Sequence, residues 1–257
     1  MSTSWDLLVE LVRTNFKLKY KGSILGFVWV LLKPFFIFLL LYIVFANLLK
    51  IGGSYESSGK NAMYLLIGLI VYNYFSEGII FGMNSILDKS NMILKVNFNR
   101  IIAVLSSLIL AFINFLINSI IIAVVAVIVG VDITPVSFVY VLLLVLTMSV
   151  IILSISLFSS LLLIRLRDLT HIVELALQLV FYGSAVFYPI SIVPDRWRFL
   201  IDYNPIAAII DASRTALIDG EVARMSFAVS LLAVALLLLL VGIPFFNRSV
   251  KLVAEYI

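Results

Sequence analysis

The sequence predicts an all-α integral membrane protein with six transmembrane helices, an N-terminal amphipathic helix at the membrane interface, and a re-entrant or short-helix segment before the last span. Two observations of composition predict this class. Of the 257 residues, 63% are hydrophobic and only 12% are charged. The mean hydropathy is +1.20. Soluble domains are about 45–50% apolar and about 25% charged, so this chain has too little polar surface to cover a soluble globule.

The N-terminal stretch has the pattern of a helix that lies in the membrane interface. Asp6, Glu10, Arg13, Lys17 and Lys21 recur every three or four residues and therefore fall on one stripe of a helix. Apolar side chains from position 5 to position 16 occupy another face. We expect residues 1–28 to form this interfacial segment, since scattered cations and the lack of a cleavage site argue against a signal peptide.

Six apolar stretches are long enough to cross the hydrocarbon core, which takes about 20 helical residues. They cover approximately residues 29–49, 63–83, 101–129, 136–164, 169–188 and 227–246. Residues 84–100 form a polar connector between the second and third spans. Residues 189–226 contain Pro189, Pro194 and Pro205, which favours short helices or a re-entrant segment rather than a span.

The distribution of basic residues predicts the orientation. With six spans, twelve of the 18 Lys and Arg residues fall on the side that holds both termini, and six fall on the other side. Cytoplasmic loops carry the excess of Lys and Arg, so both termini are expected in the cytoplasm and residues 189–226 outside.

No enzyme site is visible in the sequence. The chain has no Cys and a single His, His171, so neither a thiolate nor a His cluster is available for a metal or a catalytic centre. The stretch ending in Gly59 and Lys60 departs from a phosphate-binding loop, because Ser54 stands where that loop needs Gly and Asn61 where it needs Ser or Thr. We expect no metal and no cofactor in this chain, and no nucleic-acid partner for a net charge of only +4.

Two acidic residues fall inside or at the edges of predicted spans. Glu77 belongs to the second span and Glu174 to the fifth. A charge in the bilayer costs several kcal/mol and usually faces a bundle interior or a water-filled path. Two interpretations are open: both acids serve gating or subunit contact, or both lie near enough to the interface to be solvated or paired.

Aromatic residues are abundant in the first two spans and near the outer end of the fifth. Some of them face lipid or form an interfacial belt. Others are candidates to line a path for sugars, since aromatic rings present flat apolar faces. The candidates for this path are Phe35, Phe38, Tyr42, Tyr72, Phe75, Phe187 and Tyr188.

The connector at 84–100 has the pattern of a short cytoplasmic helix, with apolar residues among charged ones. Such a helix can dock into a groove of a soluble partner, and a solvated connector is the alternative. The candidate contact residues are Asp88, Lys89, Ser90, Asn91, Ile93, Leu94, Lys95 and Arg100.

Three stretches together resemble one known family. The first is KYKGSILGFVW at 19–29, followed by Pro34; the second is Arg167-Asp168; the third is FYPISIVP at 187–194 with Trp197, Asn204-Pro205 and Arg214. In this order and spacing they resemble the transmembrane subunit of ABC-2 type exporters, in particular the polysaccharide-export permeases for O-antigen, capsule or teichoic acid. The loop Lys95–Ile101 departs from the family pattern, because the usual Pro and Glu are missing.

The resemblance implies a permease subunit of a bacterial cytoplasmic membrane exporter that has no ATPase site of its own. It implies a homodimer bound to two copies of a separate ATPase subunit, which holds ATP and Mg, and a lipid-linked glycan as substrate among the membrane lipids. The N-terminal segment then corresponds to a gate helix that receives the lipid head group. Its candidate residues are Arg13, Lys17, Lys19, Tyr20, Lys21 and Trp29.

Two alternatives stay open at this point. One is an ABC-2 exporter of a drug, an antibiotic or a lipid. The other is a membrane scaffold or enzyme subunit that needs no ATP.

Overall fold

The chain folds into helices throughout the part that the computed structural model describes, residues 4–21, 23, 25–48, 58–95, 98–223 and 225–253. No strand occurs in these ranges. The α-helices are α1 Ser4–Tyr20, α2 Trp29–Leu41, α3 Ser58–Asn84, α4 Ser90–Lys95, α5 Ile101–Val129, α6 Pro135–Arg165, α7 Leu169–Gly183, α8 Asp195–Asp202, α9 Pro205–Arg214 and α10 Met225–Val253. Two 3-10 turns, Gly26–Val28 and Ile190–Ile192, and two π-helical segments, Tyr42–Leu48 and Thr215–Asp219, complete them.

Within the described residues, five helical segments are long and apolar enough to cross a membrane. They are Gly26–Phe45, Gly59–Asn84, Ile101–Val129, Pro135–Arg165 and Met225–Val250. The predicted all-α membrane class is therefore confirmed. In the predicted fifth span, 169–188, the helix α7 ends at Gly183 after 15 residues. At 1.5 Å per residue it is about 22 Å long, less than the roughly 30 Å of hydrocarbon.

Helix α3 is the centre of the bundle. In its most apolar stretch 72% of the residues are buried, against 17% for α10. It packs most extensively against α5 and α6 and also contacts α9. Gly78 and Gly82, four residues apart, let α3 approach α6: a Cβ at Gly82 would lie 2.0 Å from Ser156 Oγ, and one at Gly78 would lie 2.7 Å from Ile152 Cγ2. This is the small-residue contact that membrane helices use to approach closely.

The two ends of the bundle are defined by their connections. We call the end that carries α4 the inner end, and the end that carries α8 and α9 the outer end. At the inner end, Arg100 at the start of α5 donates to the Val250 carbonyl of α10 (2.6 Å). At the outer end, Ser137 of α6 donates to the Gly220 carbonyl (2.9 Å). The predicted cytoplasmic side corresponds to the inner end.

Asn204 joins the end of α7 to the start of α9. Its Oδ1 accepts from the Ile206 backbone N–H (2.9 Å), with Pro205 in the first helical position. Its Nδ2 donates to the Gly183 carbonyl (3.1 Å) and the Ser184 hydroxyl (2.9 Å). The Asn204 side chain therefore caps the N-terminus of α9 and donates a hydrogen bond to a free backbone carbonyl at the C-terminus of α7.

Arg214, the last residue of α9, is only 2% exposed and crosses to the first half of α3. Its Nε donates to the Tyr64 carbonyl (3.0 Å), and its Nη1 and Nη2 donate to the carbonyls of Ala185 (2.9 Å) and Val186 (2.6 Å). The guanidinium also lies 3.5 Å from the centre of the Tyr64 ring. We call this arrangement the Arg214 junction.

The Arg214 junction is possible because α7 ends at Gly183, so that the carbonyls of Ala185 and Val186 are available to Arg214. Ala185 adopts φ = 50°, which turns the chain out of the helix and leaves two consecutive carbonyls without a helical partner. Gly68 of α3 provides the space: a Cβ there would lie 2.2 Å from Arg214 Nη2 and 2.6 Å from the Val186 oxygen.

We predict that Gly68→Ala destabilises the protein, since the added methyl group overlaps the guanidinium. Overpacking of this kind costs roughly 1–3 kcal/mol, and displaced hydrogen bonds add to it. The measurement is the melting temperature of the purified protein in detergent. Gly183→Ala is the matched control, because a Cβ at Gly183 meets no atom within 4 Å. Equal melting temperatures for the two variants would contradict the junction.

Candidate functional site

A cavity of about 430 Å³ opens between α1, α2, α3 and α5. Its walls are apolar, but polar and charged side chains from all four helices reach it. It is lined by Lys19, Trp29, Val30, Lys33, Pro34, Ile37, Asn73, Ser76, Glu77, Ile80, Phe81 and Asn114. Two lysines and one glutamate therefore meet at the same cavity.

Glu77 is held at this cavity by α5. The buried Asn114 donates from Nδ2 to Glu77 Oε2 at 2.8 Å. Glu77 is thus directed into the bundle, as an acid in a membrane helix must be. Glu77 thus has partners on two other helices, Asn114 of α5 and Lys19 of α1, as the alternative of a paired acid predicts; a gating role stays a prediction.

Lys19 brings the interfacial helix to the cavity. Its Nζ lies 4.1 Å from the centre of the Phe81 ring, a cation–π distance. Burial lowers the pKa of Lys19, and the nearby Glu77 opposes that shift. The Lys19 ammonium thus reaches the cavity, although the residue as a whole is exposed, as are Arg13 and Lys17 of α1 and Lys21 directly after it.

Packing against α5 holds α1 in place. Leu11 is buried, and Phe16 packs against Phe27 with ring centres 5.3 Å apart. Trp29 is 48% exposed and forms part of the cavity wall. The side chain of Tyr20, also predicted for this site, lies outside the described residues.

The predicted coupling residues divide into an outer face and a buried face. Asp88, Asn91 and Lys95 are exposed, and Ser90 is half-buried. Ile93 is buried in a cluster at the inner end with Ile86, Ala103, Val104, Leu157, Leu161, Phe246 and Val250. The side chain of Leu94 lies outside the described residues, as do residues 96 and 97.

Lys89 does not share the exposed face of its neighbours. It is 8% exposed, and its Nζ donates to Ser107 Oγ (2.9 Å) and to the Ala103 carbonyl (3.3 Å) of α5. Burial lowers the pKa of Lys89 to about 8, and Asp88 opposes the shift. Asp88 is exposed as a residue, but partial burial of its carboxyl group raises the pKa of Asp88, and Lys89 opposes that shift. Lys89 thus fastens the segment to α5, and contact with a partner is left to its exposed neighbours.

Several of the predicted path aromatics meet at one place. Tyr72 of α3 packs against Phe181 of α7 (5.1 Å between ring centres), and Phe181 packs against Phe187 (5.6 Å). Phe187 also contacts Tyr188 (5.1 Å) and Phe45 (4.6 Å). The Tyr72 hydroxyl donates to the Leu177 carbonyl.

The remaining path candidates take other positions. Phe75 is buried beside Tyr72 (6.2 Å). Phe38 and Tyr42 pair with each other on α2 and its π-helical extension (5.9 Å), and the half-exposed Phe35 packs on Phe36.

Glu174, the second intramembrane acid, lies near the inner end of α7. Its side chain is 56% exposed, and the Nδ1 of His171 lies 3.8 Å from its Oε2. It borders a surface depression of about 350 Å³ with Tyr72, Gln178 and Tyr182. Glu174 is therefore on an open face of the bundle, unlike Glu77.

Sequence reasoning missed three residues that shape these sites: Asn114, Arg214 and Gly68. Asn114 is a polar residue inside an apolar span, which is itself a signal for a buried hydrogen bond. Arg214 is part of a motif in the short-helix or re-entrant segment at 189–226, but the sequence alone does not show that its guanidinium is buried against α3.

Comparisons with known proteins match nearly the whole chain. A model of the ABC-2 type transporter family matches residues 6–218. The chain is 26% identical over 246 residues to an "O-antigen export system permease protein RfbA" of Klebsiella pneumoniae, covering 95% of this chain and 92% of that protein. A protein of the same name from Myxococcus xanthus is 25% identical over 259 residues, covering 98% and 95%.

We predict that Glu77→Gln loosens α1 from the bundle. The amide keeps the shape of the side chain but removes the charge that favours the Lys19 ammonium in the cavity. The reporter is Leu11→Cys, a unique thiol in a chain without Cys, and the measurement is its rate of maleimide labelling. The rate should rise several-fold with Glu77→Gln and stay unchanged with the control Glu174→Gln. Equal rates in both backgrounds would show that Glu77 does not hold α1.

We predict a pH-dependent stability that disappears in Lys89→Met. The pKa of Lys89 falls from 10.5 to about 8 on folding, so between these values the unfolded chain binds a proton that the folded chain does not. The stability of the native protein should therefore rise with pH across this window, by about 3 kcal/mol relative to the variant. Melting curves in detergent from pH 7 to pH 10.5 measure the difference, and parallel profiles would contradict the burial of Lys89.

Proposed function

The chain belongs to the ABC-2 type transporter family, and from this premise we propose that it is the transmembrane subunit of an ATP-driven exporter of a lipid-linked polysaccharide. The observation that carries the proposal is the similarity, over nearly the full length of both chains, to permeases named for O-antigen export. As a member of this family the chain is a multi-pass membrane protein and a transporter component rather than an enzyme.

The energy source is a separate ATPase. The sequence contains no phosphate-binding loop, so ATP and Mg are bound by the partner, of which we propose two copies. The exposed residues Asp88, Asn91 and Lys95 at the inner end form the contact surface. Because Ile93 belongs to the same cluster as Ala103 of α5 and Phe246 of α10, movement imposed on α4 is transmitted to two spans.

The substrate's lipid head group is received by α1. A diphosphate-linked head group carries negative charge, and the exposed Arg13, Lys17 and Lys21 offer three cations along one stripe. The Lys19 ammonium, which lies over the Phe81 ring and near Glu77, holds this helix on the bundle. Release of that contact exposes the cavity between α1 and α3.

The glycan path lies along α3 and α7 in a homodimer. The half-buried rings of Phe181, Phe187 and Tyr188, which pack around the buried Tyr72, offer apolar faces to sugars. On α7, Ile172, Leu175 and Leu179 are exposed at helical spacing, an apolar face that a second copy of the chain would cover. ATP binding by the partner moves α4, the two copies separate along α7, and the polymer passes between them.

The proposed location is the bacterial cytoplasmic membrane, with both termini in the cytoplasm. This orientation puts α4 and the basic stripe of α1 on the side where ATP and the newly made polymer are present. It also puts the segment built by α8, α9 and Arg214 on the outer side, where it caps the exit.

Deletion of either this chain or its ATPase tests the function. Both deletions should remove polysaccharide from the cell surface and leave lipid-linked polymer inside the cell. Normal surface polysaccharide after loss of the ATPase would exclude ATP-driven export. Normal surface polysaccharide with loss of drug or lipid efflux would instead identify an exporter of those substrates.

We predict that Lys17→Glu with Lys21→Glu blocks export by at least tenfold while the protein still assembles. Both side chains are exposed, so the charge reversal affects the head-group contact rather than the fold. The matched control is Lys17→Arg with Lys21→Arg, which keeps the charges and should keep export. The measurement is the amount of surface polysaccharide relative to permease in the membrane. Unchanged export in the double Glu variant would remove the head-group role.

A further inference from the structure

A groove of about 240 Å³ runs between α6 and α10 at the inner end of the bundle, apart from the sites described above. Five of its six lining residues lie within two turns of the C-terminal end of α6 or of α10. It is lined by Phe158, Leu161, Leu162, Arg165, Phe245 and Ser249.

The apolar wall of the groove is built by an aromatic pair over a glycine. The rings of Phe158 and Phe245 lie 5.4 Å apart. A Cβ at Gly242 would lie 3.3 Å from the Phe158 ring, so the missing side chain lets this ring rest on the α10 backbone. The groove is thus a packed feature of the two helices.

The surroundings of the groove are those of a lipid-facing surface. No charged residue occurs in 136–164 of α6 or in 226–246 of α10. Both helices leave large apolar side chains exposed there, including Leu162, Val241 and Phe245. A membrane helix with this composition on its outer face contacts acyl chains.

The mouth of the groove is polar and basic. Arg165 is the last residue of α6 and is exposed, and Ser249 adds a hydroxyl from α10. Arg165 follows directly on the apolar run, which places it at head-group depth. A guanidinium there is suited to bind a phosphate through two parallel hydrogen bonds. Arg165 is the only charged residue that lines the groove, so an anionic head group is favoured over a zwitterionic one.

We propose that this groove binds one anionic glycerophospholipid of the inner leaflet, with an acyl chain against Phe158 and Phe245 and its phosphate on Arg165. The site is separate from the substrate site on α1. One Lys or Arg near an anionic lipid surface contributes about 1 kcal/mol, which corresponds to about a fivefold preference for an anionic over a zwitterionic lipid.

The bound lipid also supports the coupling segment. Leu161 lines the groove and belongs to the inner-end cluster that also holds Ile93 of α4. Filling the groove therefore packs the far side of the same cluster.

Native mass spectrometry of the purified full chain tests the site, with phosphatidylglycerol and phosphatidylethanolamine offered in equal amounts. The wild type should retain phosphatidylglycerol about fivefold more than phosphatidylethanolamine. Arg165→Gln should abolish this preference, and Arg165→Lys should restore most of it, which separates lost charge from lost folding. Arg198→Gln, which removes an exposed arginine of α8 at the outer end, is the matched control and should retain lipid like the wild type.

Three results would overturn the proposal. Equal retention of both lipids by the wild type would remove the charge preference. Unchanged retention by Arg165→Gln would place the lipid elsewhere. The third result is a purified dimer that retains neither lipid and in which α6 and α10 are protected from hydrogen exchange. It would show that a second copy of the chain covers the groove.

Discussion

The outer half of the bundle depends on one buried cation. Arg214 donates to the backbone carbonyls of Tyr64, Ala185 and Val186. The carbonyls of Ala185 and Val186 follow the end of α7 and have no helical partner of their own. An unsatisfied carbonyl in a membrane protein costs several kcal/mol, and irregular backbone is tolerated at this depth only when the protein satisfies it. The short α7, the turn at Ala185 and the return of α9 therefore form one unit with α3, and Gly68 supplies the space that the unit needs.

The inner half is built differently, and the difference suits a transporter. Its contacts with α1 and α4 each use one lysine: Lys19 over the ring of Phe81, and the buried Lys89 with Ser107. A lysine with one or two contacts exchanges more readily than a buried guanidinium with three acceptors. We therefore expect the moving parts at the inner end, where we propose that the ATPase binds, and a more rigid outer end held by Arg214.

Hydropathy was enough to predict the membrane class, the interfacial helix and the long spans, because long apolar stretches and the charge stripe of α1 are local features of the sequence. It could not show which helix each face of α3 contacts, because α3 has few polar residues and is surrounded by other helices. For the same reason the sequence identified Tyr72 and Phe75 as candidate path residues but did not show which helices they contact.

Charged residues were the hardest to predict. Arg214 and Lys89 both occur in polar stretches that look solvated, yet both are buried by chain segments far away in sequence. The segment Gly78 to Gly82 carries a small-residue motif that predicts close helix packing, but its partner Ser156 is recognised only in the folded chain. Long-range partners of this kind are decided by the tertiary fold.

The central claim, that a partner's ATP hydrolysis moves a lipid-linked polysaccharide through this chain, is tested most directly in proteoliposomes. The purified permease and ATPase are reconstituted with the ATPase outside, and labelled lipid-linked polysaccharide is added to the outer leaflet. The account predicts that ATP, and not ADP, makes the polymer resistant to an external glycosidase as it enters the lumen. Polymer that stays fully accessible during ATP hydrolysis would contradict the account.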